Sequence, residues 1–518
     1  MHQATKKIGW AALLLACLVV SFASAFGAQG KKTIRKARIP AEGAMSFTIH
    51  DAATGNAMPG KLSFVGVKGT AQPSFGGDIG REEFNVMSAW NRAFTIQGEG
   101  VLRVPVGTYD VYATRGPEWS LDVKRSVTIR AGKTVDCDFL LRHVVATPGW
   151  ASADFHVHAA HSPDSKVPMR DRVYEFIGDG VDMIVATDHN VISDYAPTIN
   201  ELGATGLLAS SSGDEVTTAT WGHFGVFPLP APHNEAEHAG ALAAPSTAVG
   251  LMANLRATAP DAVIDVHHPR LDKEIGYFNR GEFDAKRDVA GRSGFSFDFD
   301  AVEVLNGYQD PDRTSAERVI KDWFALLDHG HLVTGTGNSD THHLSYNLGG
   351  YPRNYVRVAE DAPDKLTPRA VAAAVKAHRL LFTTGPFVGF HIGAADIGDL
   401  VAAPAGLVTV TIEVDAPAWM KLSRATLLVN GQPFKTWTTF SLNDGVRLHS
   451  TEEVKVASDA YLIVRVDGDT PMAPVVGDAG RFPVYPFAIT NPIFVDVNNN
   501  GRFDAPLAHG THGTHGAK

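Results

Sequence analysis

Two histidines close an apolar, strand-like run near the middle of the chain, in Ala153-Asp-Phe-His-Val-His158. Alternate residues of a strand lie on the same face, so the imidazoles of His156 and His158 point in the same direction. A neutral imidazole nitrogen is a common ligand of divalent metal ions. Further His- and acid-containing segments follow, most of them closing similar runs: Ser162 with Asp164, Thr187-Asp-His-Asn190, Gly213-Asp-Glu215, Gly222-His223, His267-His268-Pro269 and Asn338-Ser-Asp-Thr-His-His343.

These segments supply nine candidate ligands with nitrogen or oxygen donors: His156, His158, Asp164, His189, Glu215, His223, His268, Asp340 and His342. That number exceeds the four ligands of a tetrahedral ion and suits two or three divalent ions. Because imidazole dominates the set, it favours zinc, manganese or iron over calcium. A carboxylate such as Glu215 bridges two ions, and ions about 3.5–4 Å apart hold a hydroxide for a displacement reaction.

Other polar residues near these segments allow two interpretations each. Arg270 and Arg353 either bind an anionic or carbonyl oxygen of the substrate or form surface ion pairs. Glu303, at a strand end in Val-Glu-Val-Leu-Asn306, is predicted to contact the substrate. Four more residues either orient ligand imidazoles or stabilise turns at strand ends: Asp154, Asp188, Asn190 and Asp214.

The elements that carry these residues alternate between apolar runs and helical stretches. The predicted strands are 181–186, 206–210, 224–227, 262–266, 301–305 and 332–336. The predicted helices are 169–177, 247–257, 315–327 and 368–378. Such alternation indicates βα units around a parallel sheet. Polar residues at the strand ends favour a (β/α) barrel, which places its chemistry at the carboxyl ends of its strands.

Short alternating strands broken by Gly, Pro and Asn flank this region on both sides, which is typical of β-sandwiches. The N-terminal one resembles the carboxypeptidase regulatory-like domains of secreted hydrolases. The predicted organisation is a signal peptide (1–25), a linker (26–44), an N-terminal β-sandwich (45–147), the central α/β domain (148–390), a C-terminal β-sandwich (391–498) and a Gly/His-rich tail (499–518).

The ordered motifs of residues 149–385 resemble those of the PHP (polymerase and histidinol phosphatase) family of metal-dependent hydrolases. This resemblance implies a distorted (β/α)7 barrel, here between two β-sandwiches, with a trinuclear metal site. It places His156, His158, Glu215 and Asp340 on one ion. Glu215, His223 and His268 would hold the second ion, and Asp164, His189 and His342 the third. Between His267 and His268, it favours the residue before proline.

Three further segments resemble the CehA/McbA-type branch of secreted metallohydrolases, which act on carbamate esters. They are Tyr351-Pro-Arg-Asn-Tyr-Val356, Arg379 with Phe382-Thr-Thr-Gly-Pro386, and Asn491-Pro-Ile-Phe-Val-Asp496. The chain departs from that branch at Asn338-Ser339, where Gly-Ser is common.

Composition limits the other possibilities. The 518 residues carry a formal net charge of −10, which argues against binding nucleic acid through a basic surface. The two cysteines, Cys17 and Cys137, build neither a disulfide framework nor a cysteine zinc site. Lys6-Lys7, an apolar run and Ala23-Ser-Ala25 predict a cleaved signal peptide and an exported protein without a retained membrane span. Cys17 gives lipoprotein anchoring as a less favoured alternative.

Two features outside the central region also contain metal-binding residue types. Asp496-Val-Asn-Asn-Asn-Gly-Arg-Phe-Asp504 begins like a calcium-binding loop, but Leu507 stands where such a loop has its bidentate Glu. The alternative is an Asn/Gly turn. The tail histidines, His509, His512 and His515, indicate a disordered segment or loose metal binding.

The predicted function is metal-assisted hydrolysis of a phosphoester or of a carbamate or other ester bond in a small molecule. Catalytic roles are assigned to Glu215, His268, Asp340 and Arg353. No Gly-x-Ser-x-Gly elbow occurs, so nothing indicates a serine nucleophile. The alternative is an exported metal-binding or adhesion module without activity. The oligomeric state stays open.

Overall fold

The computed structural model describes residues 41–230, 247–307, 313–345, 347–478, 480 and 482–507. The predicted signal peptide with Cys17, most of the predicted linker, and the tail histidines His509, His512 and His515 lie outside the described residues. Among the described helices, none combines the length and the apolar character that crossing a membrane requires.

The N-terminal strands form two sheets that share one core. The strands are β1 (Glu42–Asp51), β2 (Gly60–Gly66), β3 (Arg81–Glu83), β4 (Val86–Ala89), β5 (Arg92–Thr95), β6 (Glu99–Pro105), β7 (Gly107–Thr114), β8 (Asp122–Ile129) and β9 (Thr134–Leu141). One sheet has the order β6-β1-β9 and the other β3-β4-β5-β2-β7-β8. Strand β1 buries alternate residues, so Met45, Phe47 and Ile49 meet Leu62 and Phe64 of β2 in the core.

The central region contains all six α-helices of the part of the chain that the structure describes. Its elements are β10 (Trp150–Val157), α1 (Met169–Gly178), β11 (Met183–Ala186), α2 (Ala196–Glu201), β12 (Ala209–Ser211), β13 (Asp214–Thr218), β14 (Gly222–Phe227), α3 (Ala248–Thr258), β15 (Val263–Val266), α4 (Tyr277–Arg280), β16 (Phe283–Asp284), a 3-10 turn (Ala285–Arg287), β17 (Val289–Ala290), β18 (Ala301–Asn306), α5 (Thr314–Asp328), β19 (Thr334–Asn338), β20 (Arg353–Arg357), α6 (Pro368–Lys376) and β21 (Leu380–Thr383).

Most central strands belong to two sheets. In the first sheet, β12, β11 and β10 are parallel, and β20 and β21 continue it in antiparallel pairs. The second has the order β13-β14-β15-β18-β19, in which only the pairs after β15 are parallel. Apolar side chains of both sheets and of helices α3, α5 and α6 share one core, which includes Phe155, Phe224, Leu251, Trp323 and Phe382.

The C-terminal strands extend the first sheet. They are β22 (Phe387–Ile392), β23 (Leu400–Ala402), β24 (Leu407–Ala416), β25 (Arg424–Val429), β26 (Gln432–Trp437), β27 (Gly445–Lys455), β28 (Ala460–Asp467), β29 (Gly477–Asp478), β30 (Phe482–Pro483), β31 (Phe487–Thr490) and β32 (Ile493–Asp496). Strand β31 pairs with β21, and β28, β25 and β26 follow it. A separate sheet, β22-β24-β27, packs on this extension. The described residues from Ala41 onward form one compact unit.

The predicted (β/α)7 barrel flanked by two sandwiches is wrong. Antiparallel ladders join β13 to β14, β14 to β15, β10 to β20 and β20 to β21, whereas seven βα units require parallel neighbours. In the described residues, the central strands divide between sheets and do not form one closed ring. Of the described residues, 42% lie in strands and 13% in helices, so the structure is mostly β. The predicted central strands and helices are present, but their order along the chain does not specify strand direction.

A buried ion pair joins the N-terminal sheets to the central region. Lys61 Nζ on β2 lies 2.6 Å from Asp179 Oδ1, just after α1, and both side chains are fully buried. Burial lowers the pKa of Lys61, and the Asp179 carboxylate partly offsets this effect. The hydroxyl of Tyr351 also donates to Asp179 Oδ1 at 2.9 Å. The pair therefore ties three segments of the chain together.

Replacing Lys61 with Met should leave the Asp179 carboxylate buried without its cation, which costs about 3–5 kcal/mol of unfolding free energy. Urea unfolding followed by tryptophan fluorescence measures this loss. The control is Lys124→Met, which breaks the partly exposed pair between Lys124 and Asp122 and should cost less than about 1 kcal/mol. Equal losses in the two variants would contradict the importance of the buried pair.

Candidate metal centre

The structure brings together all nine predicted ligands. They form four overlapping groups in which the ligand atoms lie within 4.8 Å of one another. The groups are His158, Asp164, His189 and His342; His156, Glu215 and His268; His156, His158 and Asp340; and His189, Glu215 and His223. We call these nine residues the metal cluster. Clusters of His, Asp and Glu that could hold a metal ion are therefore present in the protein.

Strand ends position the cluster. His156 and Val157 are the last two residues of strand β10, and His158 follows directly. Glu215 lies on β13, and His223 lies on the neighbouring strand β14, where the ladder pairs it with Thr217, two residues after Glu215. His268 follows β15 and Asp340 follows β19, which lie in the same sheet on either side of β18. The cluster thus collects residues from both sheets of the central region.

The carboxylate of Glu215 occupies the middle of the cluster. Six imidazole nitrogens lie within 3.6 Å of its two oxygens. Near Oε1 are His267 Nδ1 at 3.0 Å and, each at 3.2 Å, His156 Nε2, His223 Nδ1 and His268 Nε2. Near Oε2 are His189 Nδ1 at 2.7 Å and His158 Nε2 at 3.6 Å. The two oxygens therefore face two different sets of nitrogen donors, as a bridging carboxylate does.

Two further carboxylates complete the cluster. Asp340 Oδ1 lies 3.2 Å from His156 Nε2, 3.3 Å from His158 Nε2 and 3.3 Å from His342 Nδ1. Asp164 Oδ2 lies 3.0 Å from His189 Nε2 and 3.3 Å from His342 Nε2. The side chain of Asp164 is 49% exposed, whereas that of Asp340 is 5% exposed. The group around Asp164 therefore forms the solvent-exposed side of the cluster.

Hydrogen bonds at Nδ1 orient the two central imidazoles. His156 Nδ1 is paired with Glu303 Oε1 at 3.0 Å, and His158 Nδ1 with Ser162 Oγ at 3.0 Å. Each contact turns the Nε2 atom of the same ring toward the carboxylates of the cluster. Glu303 Oε2 also accepts the backbone N–H of His268 at 2.7 Å. Partners of this kind fix the orientation of ligand imidazoles in metal sites.

Two cluster residues have an uncommon backbone conformation. His268 has φ +27° and Asp340 has φ +50°, in the left-handed region that side chains other than glycine rarely adopt. Such conformations cost about 1–3 kcal/mol and persist only where the surrounding structure enforces them. Here the hydrogen bond from His268 N to Glu303 contributes to that restraint. The positions of these two side chains in the metal cluster therefore come at a cost in folding stability.

Charge is strongly coupled within the cluster. Burial raises the pKa of the Glu215 carboxyl, but the surrounding imidazoles, led by His189, outweigh this and hold its pKa well below the usual range. Burial lowers the pKa of His156, yet Asp340 and Glu303 raise it well above the usual value. The pKa of His158 lies well below the usual value because of burial and the neighbouring His342. The carboxylates thus favour positive charge between them.

Several buried atoms that could bind a metal ion have no hydrogen-bond partner among the described residues. They are His156 Nε2, His158 Nε2, Glu215 Oε2 and His223 Nδ1. His156 Nε2 is close to oxygens of Glu215 and Asp340, but it is aligned for a hydrogen bond with neither. Ligand atoms about 2.0–2.2 Å from one ion lie about 3.0–3.5 Å from each other. The spacing of these atoms therefore fits shared divalent cations.

The pair His267-His268 contributes two different contacts. His267 stacks on His156 with ring centroids 3.6 Å apart, and its Nε2 packs against Gly225 of β14, where an added Cβ would lie 2.2 Å away. Burial and the neighbouring His156 lower the pKa of His267 to about 4. His268 instead belongs to a group with His156 and Glu215. This arrangement favours His268 as the ligand and His267 as a packed neighbour.

The two arginines singled out from the sequence have other partners. Arg353 is buried and donates to the carbonyls of Gly350, Asp179 and Gly180, and none of its described contacts is with the metal cluster. Arg270 forms a half-buried ion pair with Asp322 at 2.7 Å. The structure therefore does not bring the predicted catalytic residue Arg353 to the cluster, and Arg270 adopts the ion-pair alternative.

The acidic residues beside the motifs stabilise turns. Asp154 accepts the backbone N–H groups of His156, Ser339 and Gly350. Asp188 accepts the N–H of Ala159 at 2.7 Å, and Asn190 pairs with the backbone of Thr217. The central imidazoles are oriented instead by Ser162 and by Glu303, which the sequence suggested as a substrate contact. An acidic residue inside an apolar strand is the signal for such a buried, paired role.

The N-terminal sheets also support the cluster, which the sequence did not reveal. Asp78, in the loop before β3, receives a 2.7 Å hydrogen bond at Oδ2 from His343 Nδ1 and the N–H of Leu344 at Oδ1. Arg92 on β5 donates to the carbonyl of Ser345 at 2.8 Å and to that of Gly477 at 3.0 Å. These contacts hold the loop that carries Asp340 and His342.

The loop Asp496–Asp504 gathers oxygen atoms around a turn. Asp496 accepts the N–H groups of Asn500 and Gly501, and Asp504 Oδ2 accepts the side-chain amides of Asn498 and Asn500. Asp459, before β28, accepts the N–H of Asp504 at 2.9 Å. These hydrogen bonds account for a folded turn, and calcium binding at this loop stays a prediction.

Comparisons with known proteins add little to this geometry. Neither the comparison with protein families nor that with curated proteins finds a match. Among solved structures, a minor pilin of the Gram-positive pathogen Streptococcus agalactiae shows 16% identity over 21% of this chain and 47% of the pilin, with a TM-score of 0.16. The chain thus spans about half of that pilin's length, and the low TM-score supports no conclusion about fold or function.

Proposed function

We propose that this protein is an exported metal-dependent hydrolase with the motif set of the PHP family, closest to its CehA/McbA-type branch. The proposal depends on one observation above all: a fully buried carboxylate, Glu215, lies within 3.6 Å of six imidazole nitrogens. Three of these nitrogens, His156 Nε2, His158 Nε2 and His223 Nδ1, are buried without a hydrogen-bond partner among the described residues, which is a costly arrangement unless cations occupy the space around the carboxylate. The nine ligands suit two or three divalent ions of zinc, manganese or iron.

Each of the proposed ions would have its own set of ligands. His156, His158, Glu215 and Asp340 would hold one ion; Glu215, His223 and His268 a second; and Asp164, His189 and His342 a third. When bound, such ions polarise the scissile bond and lower the pKa of water to about 7. Glu303 and Ser162 keep the rings of His156 and His158 fixed, so little reorganisation accompanies the reaction. The half-exposed Asp164 marks the side open to water.

The bond that is cleaved is a phosphoester or a carbamate or related ester. Elemental analysis of the purified protein, joined to parallel assays on p-nitrophenyl phosphate, bis(p-nitrophenyl) phosphate and a 1-naphthyl carbamate, tests the proposal. Two or three equivalents of metal with turnover of one of these substrates is the expected result. Metal without turnover of any substrate would favour an inactive metal-binding module, and absence of metal would contradict the whole proposal.

Replacing His156 with Ala should remove at least one equivalent of metal and lower kcat/KM at least about 100-fold, because this ring reaches both Glu215 and Asp340. Metal content and steady-state kinetics are measured on the same preparation. The control is His161→Ala, whose imidazole is 45% exposed and belongs to none of the ligand groups. Wild-type turnover in the His156 variant would remove the metal cluster from the mechanism.

Replacing Glu303 with Gln should weaken metal binding by about 10- to 100-fold, because the carboxylate no longer fixes His156 Nδ1. Titration against a competing chelator measures the affinity. Asp265→Asn is a matched control: this buried carboxyl accepts a hydrogen bond from Thr336 and contacts no imidazole among its described hydrogen bonds. Equal weakening in both variants would point to a general effect of buried charge and not to ring orientation.

A further inference from the structure

A narrow slot opens beside the metal cluster, and none of the predicted site residues lines it. Its empty space is about 550 Å³ when the open solvent at its mouth is included, so only part of it is enclosed by the protein. Asn306 and Gly307, at the end of β18, form part of its lining. The Asn306 amide donates to Asp340 Oδ2 at 3.0 Å and to Glu303 Oε2 at 2.9 Å. A molecule in the slot is therefore separated from the Asp340 carboxylate by a single side chain.

The walls of the slot are mostly apolar and come from distant segments. They include Leu305, Leu348, Tyr351, Pro352, Phe482 and Val484. The last two belong to the C-terminal region, which reaches the slot because β31 pairs with β21. Backbone crowding restricts the floor, where a Cβ on Gly307 would lie 2.6 Å from the Tyr351 carbonyl and 2.8 Å from that of Ser339. Such a lining suits the apolar body of a small molecule.

One cation, Arg313, lines the slot at the start of α5. Its guanidinium lies over the ring of Tyr485, another lining residue, at 5.4 Å from the centroid. Its side chain is 22% exposed, and it forms a 3.4 Å ion pair with Asp467. A guanidinium has five N–H donors in a planar fork, so this single contact uses little of its capacity.

Within the described residues, the charge of Arg313 is only partly neutralised. Arg465 holds Asp467 through three contacts of 2.7–3.1 Å, and Arg424 also lies 3.3 Å from Asp467. In the part of the chain that the structure describes, the other carboxylate that pairs with these arginines is that of Glu317, and its partner is Arg465. Three guanidinium groups thus share two carboxylates, and the contact of Arg313 with Asp467 is the longest of them, at 3.4 Å. An anionic group entering the slot would find a partner there.

We propose that the slot binds the apolar body of the substrate and that Arg313 binds a carboxylate of the same molecule. The substrates are then small esters or phosphoesters that carry a carboxylate remote from the bond cleaved. This inference rests on the proposed function for the identity of that bond, but recognition of the carboxylate is independent of cleavage. A carboxylate matches the planar fork of a guanidinium, and the apolar walls strengthen such a charged hydrogen bond.

Binding of 4-phenylbutyrate and of its uncharged analogue 4-phenylbutyramide tests this inference. Isothermal titration calorimetry on the purified, metal-containing protein should show at least about tenfold tighter binding of the carboxylate, as one charged hydrogen bond implies. Arg313→Gln should abolish this preference, and Arg313→Lys should retain part of it. Thermal unfolding of each variant verifies that the fold is intact.

Arg424→Gln is the matched control, because Arg424 pairs with the same Asp467 but does not line the slot. It should change binding of either probe less than twofold. Equal losses in the Arg313 and Arg424 variants, or a carboxylate preference that survives Arg313→Gln, would overturn the inference. The His156→Ala variant separates the two proposals: it should lose turnover yet retain the Arg313-dependent preference. Turnover without any carboxylate preference would refute this inference alone.

Discussion

A negative charge buried in the middle of the metal cluster constrains the architecture of the central region. Taking the Glu215 carboxylate out of water costs several kcal/mol unless positive charge or donors surround it. The six imidazoles that surround it belong to residues from His156 to His268, so distant segments must meet at one place. The strands that carry them share a core of apolar side chains with three helices, and burial of that core holds the segments in place.

Rigidity at the cluster comes from a layer of contacts behind the ligands. Glu303 orients His156 and restrains the backbone of His268, while its second oxygen also accepts the amide of Asn306. On the other side, Asp78 and Arg92 of the N-terminal sheets hold the loop that follows Asp340. The N-terminal sheets are therefore a structural support of the cluster rather than an independent appendage.

The sequence predicted the site better than the fold. An HxH pair at a strand end places two imidazoles on one face by local geometry, whatever the rest of the sheet does, and the nine ligands converge accordingly. Strand direction is not local in this sense: the turn between β13 and β14, and the return of β20 beside β10, decide it. Contacts such as Asp78 with His343, 265 positions apart, leave no periodic signal. Arg353 shows the same limit, since a motif does not reveal that its donors are used on carbonyls.

The separation of metal cluster and slot has a physical consequence for specificity. The cluster is built from imidazole and carboxylate groups, which in the proposed function act on the reacting bond and discriminate poorly between the groups attached to it. The slot is built mostly from apolar walls and one guanidinium, which in the further proposal bind parts of the substrate that do not react. Asn306 is the contact between them, because one amide bonds to Asp340 and also lines the slot. Because Phe482 and Val484 of the C-terminal region line the slot, we expect changes in that region to alter which molecules bind while leaving the ligand set untouched.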